Sequence, residues 1–186
     1  MNTQVVKRLF NVDEFHQMGD AGVFHENDRL ELLDGEIVQM TPINSPHAGC
    51  VMRLSDMFWQ HCRGTAVVNV QNALVLDERT ELYPDITLLV PRADFYGQSH
   101  PRPADVLLLV EVSDTTLVYD RTVKLPRYAR AGVREVWIVD LAGRAIDDYR
   151  QPLGGEYLEQ HRAGPGDSIA IAGIDDRRIA VAALLG

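Results

Sequence analysis

Two carboxylates stand out for where they lie. Asp85 follows Pro84 and opens the apolar run Ile86 to Val90, and Glu111 sits near the end of Leu107-Leu108-Leu109-Val110-Glu111-Val112. An ionised carboxylate within or at the edge of a buried strand is costly unless it is paired, hydrogen-bonded or bound to a metal. Singly, each has a plain explanation: a turn residue after a proline, or a partner for an arginine. If their two strands are neighbours, both acids meet at one end of a sheet. Hard divalent cations such as Mg²⁺ or Mn²⁺ take oxygen ligands of that kind. An ion so held can polarise a phosphodiester and activate a water.

A third residue fits the same chemistry. The chain has 18 Lys plus Arg, of which only Lys7 and Lys124 are lysines. A lysine kept in an arginine-rich background supplies a compact, titratable ammonium that guanidinium does not imitate. Lys124 lies 13 residues after Glu111, with Asp120 and Tyr128 four residues to either side and so on its helical face. From Arg121 to Arg134 the chain carries Arg121, Lys124, Arg127, Arg130 and Arg134 and no acid. Cations for a phosphate beside carboxylates for an ion are what phosphoryl chemistry requires. A merely solvated basic face is the ordinary reading of such a run. Two further groups are candidates: His47, at the start of a helix, and Glu31, in a hairpin, each with a plain structural role as its alternative. No G-x-S-x-G, P-loop or G-x-G-x-x-G occurs, so serine hydrolase and nucleotide-cofactor readings lack their local signatures.

The elements that must position these groups follow from pattern. Asn11 caps a short helix through Phe15 and Met18, and Asp34-Gly35 joins two apolar-rich runs between Arg29 and Met40 as a hairpin. Val51, Leu54, Phe58 and Cys62 recur at helical spacing, which predicts a helix from about Pro46 to His61 ending before Gly64. Strands are expected at Ala66 to Val70, Ala73 to Leu76, Ile86 to Val90, Val106 to Val112, Glu135 to Asp140 and Ala145 to Arg150, and Pro91 to Asp105 as surface loop. The runs at Ile86 and Val106 do not alternate, as in strands covered on both faces. Residues from about Tyr119 to Ala131 read as a helix stopped by Gly132, with Pro126 forcing a kink or an irregular turn. Strand, helix and strand from Val106 to Asp140 make a parallel crossover unit at the centre of a mixed α/β sheet. Glycine-punctuated hairpins and a short final helix or strand complete the chain. Trp59 and Trp137, among apolar neighbours, are expected in the core.

Composition bounds the rest. At 186 residues, 46% apolar and 24% charged, the chain reads as one globular domain, residues 1–186. Its formal net charge of -9 argues against coating nucleic acid through bulk charge, though not against a local basic patch. The strongest apolar stretch is far short of the ~18–20 residues of a membrane span. Met1 to Phe10 lacks the apolar core of a signal peptide, so the expected location is the cytoplasm. Cys50 and Cys62 are accordingly expected as buried thiols rather than a disulfide.

Pro84-Asp85 followed by Glu111-Val112-Ser113 has the order of the PD-(D/E)XK nuclease superfamily, and VEVSDTTLVYDRTVKLPRYARAGVREVWIVD, Val110 to Asp140, resembles the signature of its Uma family. Glu31-Leu32-Leu33-Asp34-Gly35 and Ser45-Pro46-His47 resemble earlier segments of that family, so the likeness runs from about Phe15 to Tyr149. The resemblance implies a restriction-endonuclease-like core, a central mixed sheet flanked by helices and extra hairpins. It also implies a Mg²⁺- or Mn²⁺-dependent endonuclease acting on nucleic acid, DNA foremost, with a homodimer suited to cutting both strands. Asp85 and Glu111 match the metal-binding acids. The superfamily's usual lysine, two positions after the glutamate, is replaced by Ser113, and Lys124 matches the position to which the family moves that role. Asp120, Arg121 and Arg127 are accessory candidates, the arginines as phosphate anchors. The rival class is a nuclease-like module that binds or assembles without cutting; Ser113 and the acidic total favour it, and metal dependence separates the two.

Overall fold

The computed structural model describes residues 6–25, 27–171, 174 and 178–186. Helix α1, Val12–Asp20, begins at Asn11, whose side chain accepts from the Glu14 N–H while the Glu14 carboxylate accepts from the Asn11 N–H. This reciprocal cap satisfies two of the amides that a helix start leaves open. Strands β1, Leu30–Leu33, and β2, Glu36–Gln39, pair antiparallel around Asp34 and Gly35, both with positive φ, as the expected tight hairpin requires. Helix α2, Ser45–His61, is capped by Asn44 and turns Cys50, Val51, Leu54 and Phe58 inward.

The remaining strands sort into two main sheets. Strands β3 (Val67–Val70), β6 (Ile86–Leu89), β7 (Val106–Ser113), β8 (Glu135–Asp140), β9 (Ala145–Leu153) and β10 (Glu156–Ala163) form a sheet of order β10-β9-β8-β7-β6-β3. Only β7 and β8 are parallel, Leu109 opposite Val136, which is the crossover expected between Val106 and Asp140. Strands β4 (Leu74–Asp77) and β5 (Thr80–Leu82) join the first hairpin in a sheet of order β2-β1-β5-β4. Strand β5 was not expected: three residues in Asp77-Glu78-Arg79-Thr80-Glu81-Leu82 are too few to display a period. A last pair, β11 (Ser168–Ile169) and β12 (Ile179–Ala180), leads into helix α5, Val181–Leu185.

The crossover carries the irregularity anticipated from Pro126. A short helix α3, Leu117–Tyr119, passes through a π-helical turn, Asp120–Lys124, into helix α4, Leu125–Ala131, which ends at Gly132 in the left-handed conformation. The Leu125 N–H bonds back to the Asp120 carbonyl, five residues away. Proline has no N–H for the regular ladder, and a widened turn just before it accommodates that loss. Both Asp120 and Lys124 are thereby buried.

The main sheet is covered on both faces. One core joins the inward face of α2 to Val110, Val112, Trp137 and Val139, with Val181 and Leu184 of α5. The other joins Leu109, Val136 and Ile138 to Leu125 and Tyr128 of α4 and to Leu74 and Leu82 of the smaller sheet. A third, smaller cluster packs Val12 and Phe15 of α1 on Leu32 and Val75. Cys50 and Cys62 are both buried and not joined. Trp137 lies in the core as expected, but Trp59 is 59% exposed. One residue past Phe58, it is rotated about 100° off the buried stripe of α2. No helix among the described residues is long and apolar enough to cross a membrane.

The hairpin turn leaves no room for a side chain at Gly35. A Cβ on Gly35 would lie 2.8 Å from the Leu9 Cβ and 3.0 Å from the Phe10 carbonyl oxygen, whereas one on Gly22, also at positive φ, would meet nothing within 4 Å. Gly22→Ala should therefore cost only the left-handed penalty of about 1–2 kcal/mol. Gly35→Ala should lose about 1–3 kcal/mol beyond that, from overpacking. Urea unfolding of both variants checks this, and equal losses would contradict the close approach.

Candidate active site

The ladder between β6 and β7 runs antiparallel with Ile86 opposite Val110. Continuing it by one residue sets Asp85 beside Glu111, so the two acids singled out in the sequence meet at one end of the main sheet. Both are buried. Their surroundings differ. Asp85 Oδ2 accepts from His47 Nε2 at 3.0 Å and from the Val112 N–H at 2.8 Å, and Oδ1 accepts from Gln71 Nε2 at 3.0 Å. Burial pushes this carboxyl up, but the His47, Gln71 and Val112 donors outweigh it and hold the group below the usual range. Glu111 Oε1 accepts from the Tyr128 hydroxyl at 2.5 Å and faces Lys124 Nζ at 3.2 Å. Here burial wins. With Asp120 and Asp85 adding negative charge nearby, Glu111 is pushed up to about 8 despite Lys124 and Tyr128.

Lys124 reaches the same space from the π-helical turn. Its ammonium donates to Glu31 Oε1 at 2.9 Å, and Glu31 Oε1 also accepts from the Tyr83 N–H at 2.9 Å. Burial disfavours the charged lysine, yet Glu111 and Glu31 together raise its pKa, so it stays protonated. Asp120, buried nearby, accepts from Ser113 Oγ at 2.7 Å and Thr116 Oγ1 at 2.6 Å, and burial raises its pKa against those two bonds. Ser113, two positions after Glu111, is thus tied to Asp120.

These groups line one cleft of about 370 Å³ whose walls include Glu31, His47, Asp85, Glu111, Asp120 and Lys124. Two polar atoms in its lining, His47 Nδ1 and Tyr119 Oη, are buried without a hydrogen-bond partner among the described residues. Buried polar groups are nearly always satisfied, so these two mark hydrogen-bonding capacity beside the cleft that the protein itself leaves unused. The donor set fits a hard cation. Two adjacent carboxyl groups, one held high mainly by its burial, offer the oxygen ligands that a divalent ion takes.

Arg121 and Arg127 are not brought here. Arg121 pairs with Asp147, with Asp140 at 3.8 Å, and Arg127 pairs with Asp34 at 2.5 Å and donates to the Val123 carbonyl. Their guanidinium groups are drawn to carboxylates on the sheet and the hairpin turn, and neither lines the cleft. Gln71 and Tyr119 had gone unnoticed. Gln71 sits just after β3 with φ 51°, a connection for which its type gives no warning.

Residues 12–182 match a family model described as "Uma2: Putative restriction endonuclease". A search of curated proteins finds no match. Among solved structures, the fold is similar to that of a "putative nuclease belonging to DUF820 from Anabaena variabilis ATCC 29413". The TM-score is 0.71 and the identity 14%, over 95% of this chain and 97% of that one. A weaker similarity, TM-score 0.43 and 16% identity, spans 78% of this chain and 16% of the type IIG restriction endonuclease BpuSI. The fold is restriction-endonuclease-like.

The raised Glu111 carboxyl has a measurable consequence with metal chelated. The unfolded chain ionises Glu111 near 4.5 and the folded protein near 8. Between these values the folded state holds the extra proton, so this group's contribution to stability falls as pH rises through the window. Glu111→Gln should therefore melt a few °C above wild type at pH 8, and the advantage should vanish towards pH 4. Parallel melting curves across that range would contradict the shift.

Proposed function

The chain belongs to the Uma2 family, and from that membership we propose a divalent-metal-dependent endonuclease that hydrolyses phosphodiester bonds in nucleic acid, DNA foremost. The observation that carries this reading is the convergence of Asp85, Glu111 and Lys124 in one cleft. Asp85 and Glu111 would hold Mg²⁺ or Mn²⁺. The bound ion would supply Lewis acidity at the scissile phosphate and lower the pKa of a coordinated water.

The remaining roles follow from the residues themselves. Lys124, kept protonated by Glu111 and Glu31, acts as a fixed cation and hydrogen-bond donor rather than as a base. It stabilises charge developing on the phosphate or orients the attacking water. Glu31 aims the ammonium, and His47 orients Asp85 through its Nε2–H. With its Nε2–H given to Asp85, His47 presents an acceptor at Nδ1 suited to a water, and the Tyr119 hydroxyl has a proton suited to a phosphate oxygen or water. Residues 1–186 would work as one domain in the cytoplasm, with a homodimer suited to cutting both strands of a duplex. Engagement of Ser113 by Asp120 favours one rival, a nuclease-like module that binds without cutting.

Lys124→Met keeps the stem of the side chain and removes the charge. It should lower Mn²⁺-dependent cleavage of DNA by about 10²–10³-fold while the folded protein still binds Mn²⁺. Unchanged cleavage would overturn the role of Lys124. Wild type that binds Mn²⁺ and nucleic acid without cutting single- or double-stranded DNA or RNA would favour the rival.

A further inference from the structure

A second group of metal-competent side chains lies outside the cleft. His16 of α1, Glu81 of β5 and His100 of the loop before β7 each offer a ligand atom, and the three atoms lie within 4.8 Å of one another. We propose that His16, Glu81 and His100 form a site for a borderline-soft divalent cation of the Zn²⁺ class, distinct from the Asp85–Glu111 pair.

The arrangement is assembled by the fold rather than by local sequence. The residues come from three separate segments, and the two imidazoles meet edge to face with ring centroids 5.6 Å apart. Glu81 is fully buried. Its Oε2 lies 2.7 Å from His16 Nε2, and Oε1 accepts from the Tyr83 hydroxyl at 3.1 Å. No lysine or arginine forms an ion pair with it among the described residues, and His16 supplies full charge only when protonated. A buried carboxylate held by one histidine is short of positive charge, and a divalent ion shared with two imidazoles supplies it.

Ligand chemistry selects the ion. Two histidines and one glutamate are a set zinc uses, with water completing a tetrahedron. Imidazole nitrogen suits zinc and its transition-metal neighbours, whereas Mg²⁺ favours all-oxygen surroundings such as those at Asp85 and Glu111. A tetrahedral ion with ~2.0–2.1 Å bonds sets its ligand atoms about 3.4 Å apart. The His16–Glu81 contact need open only slightly and any wider pair close by side-chain rotation. His16 is half-exposed and His100 exposed, which leaves an entry path. Tyr83 accompanies the site from the inside: its hydroxyl holds Glu81 while its N–H holds Glu31. An ion there would fasten α1 and the loop of residues 91–105 onto the smaller sheet.

The test uses the full chain carrying Asp85→Asn, stripped with a chelator and titrated with Zn²⁺ against a chromophoric competitor. One equivalent of Zn²⁺ should bind, and Co²⁺ in its place should give the intense visible absorption of a four-coordinate site. Adding His100→Ala, at an exposed position, should weaken Zn²⁺ binding by more than the ~10–100-fold that losing an outer partner costs, with circular dichroism unchanged. Failure of the Asp85→Asn protein to bind Zn²⁺ would overturn the proposal, as would equal affinity with and without His100.

Discussion

The buried ammonium of Lys124, set between Glu31 and Glu111, is the interaction on which the rest of the molecule turns. Burying an ammonium among carboxyl groups is costly, and the geometry must repay that cost through close contacts and further hydrogen bonds. Here the Tyr83 N–H and the Tyr128 hydroxyl complete the satisfaction of the two carboxylates. The triad also spans the architecture. Glu31 comes from the smaller sheet, Glu111 from the main sheet and Lys124 from the crossover, so the three meet only if the first hairpin docks against the crossover. The π-helical turn serves the same end. It accommodates the missing N–H of Pro126 and leaves Asp120 and Lys124 both facing inward.

Two carboxylates side by side at the end of one sheet are driven in opposite directions by their neighbours. Asp85 is surrounded by donors on both oxygens and stays ionised. Glu111 is buried deeper, shares its negative surroundings with Asp85 and Asp120, and is pushed towards its protonated form. Pairs of acids whose environments separate them in this way are common where proton and charge bookkeeping matters to a reaction. One fold hosts more than one function, so what this cleft can do is decided by its local chemistry.

Much of the positioning was legible in the sequence because it is enforced locally. Asp34-Gly35 encodes a left-handed turn, Asn11 a helix start, Pro126 an irregular turn, and the unbroken apolar runs at Ile86 and Val106 a doubly covered sheet. Asp85 and Glu111 stood out because a carboxylate in such a run needs a reason, and Lys124 because lysine is rare in this chain. What stayed hidden depends on contacts between distant segments. Strand β5 exists because it pairs with β1 and β4, and no three-residue pattern announces that. Arg121 and Arg127 looked available because their partners, Asp147 and Asp34, lie 26 and 93 residues away. Trp59 misled because its neighbours are apolar while its own angle on α2 points to water. His16, Glu81 and His100 have no metal-ligand spacing at all, and only the fold collects them.

The central claim is that Asp85 and Glu111 hold a hard divalent cation beside a permanently charged Lys124. The most direct test is thermal unfolding across a Mg²⁺ titration, in wild type and in Asp85→Ala. A ligand that binds only the folded state stabilises it by about 2.7 kcal/mol at 100-fold excess over its dissociation constant. The account predicts a rise of several °C in wild type that disappears in Asp85→Ala. The same rise in both proteins, or none in wild type, would contradict it.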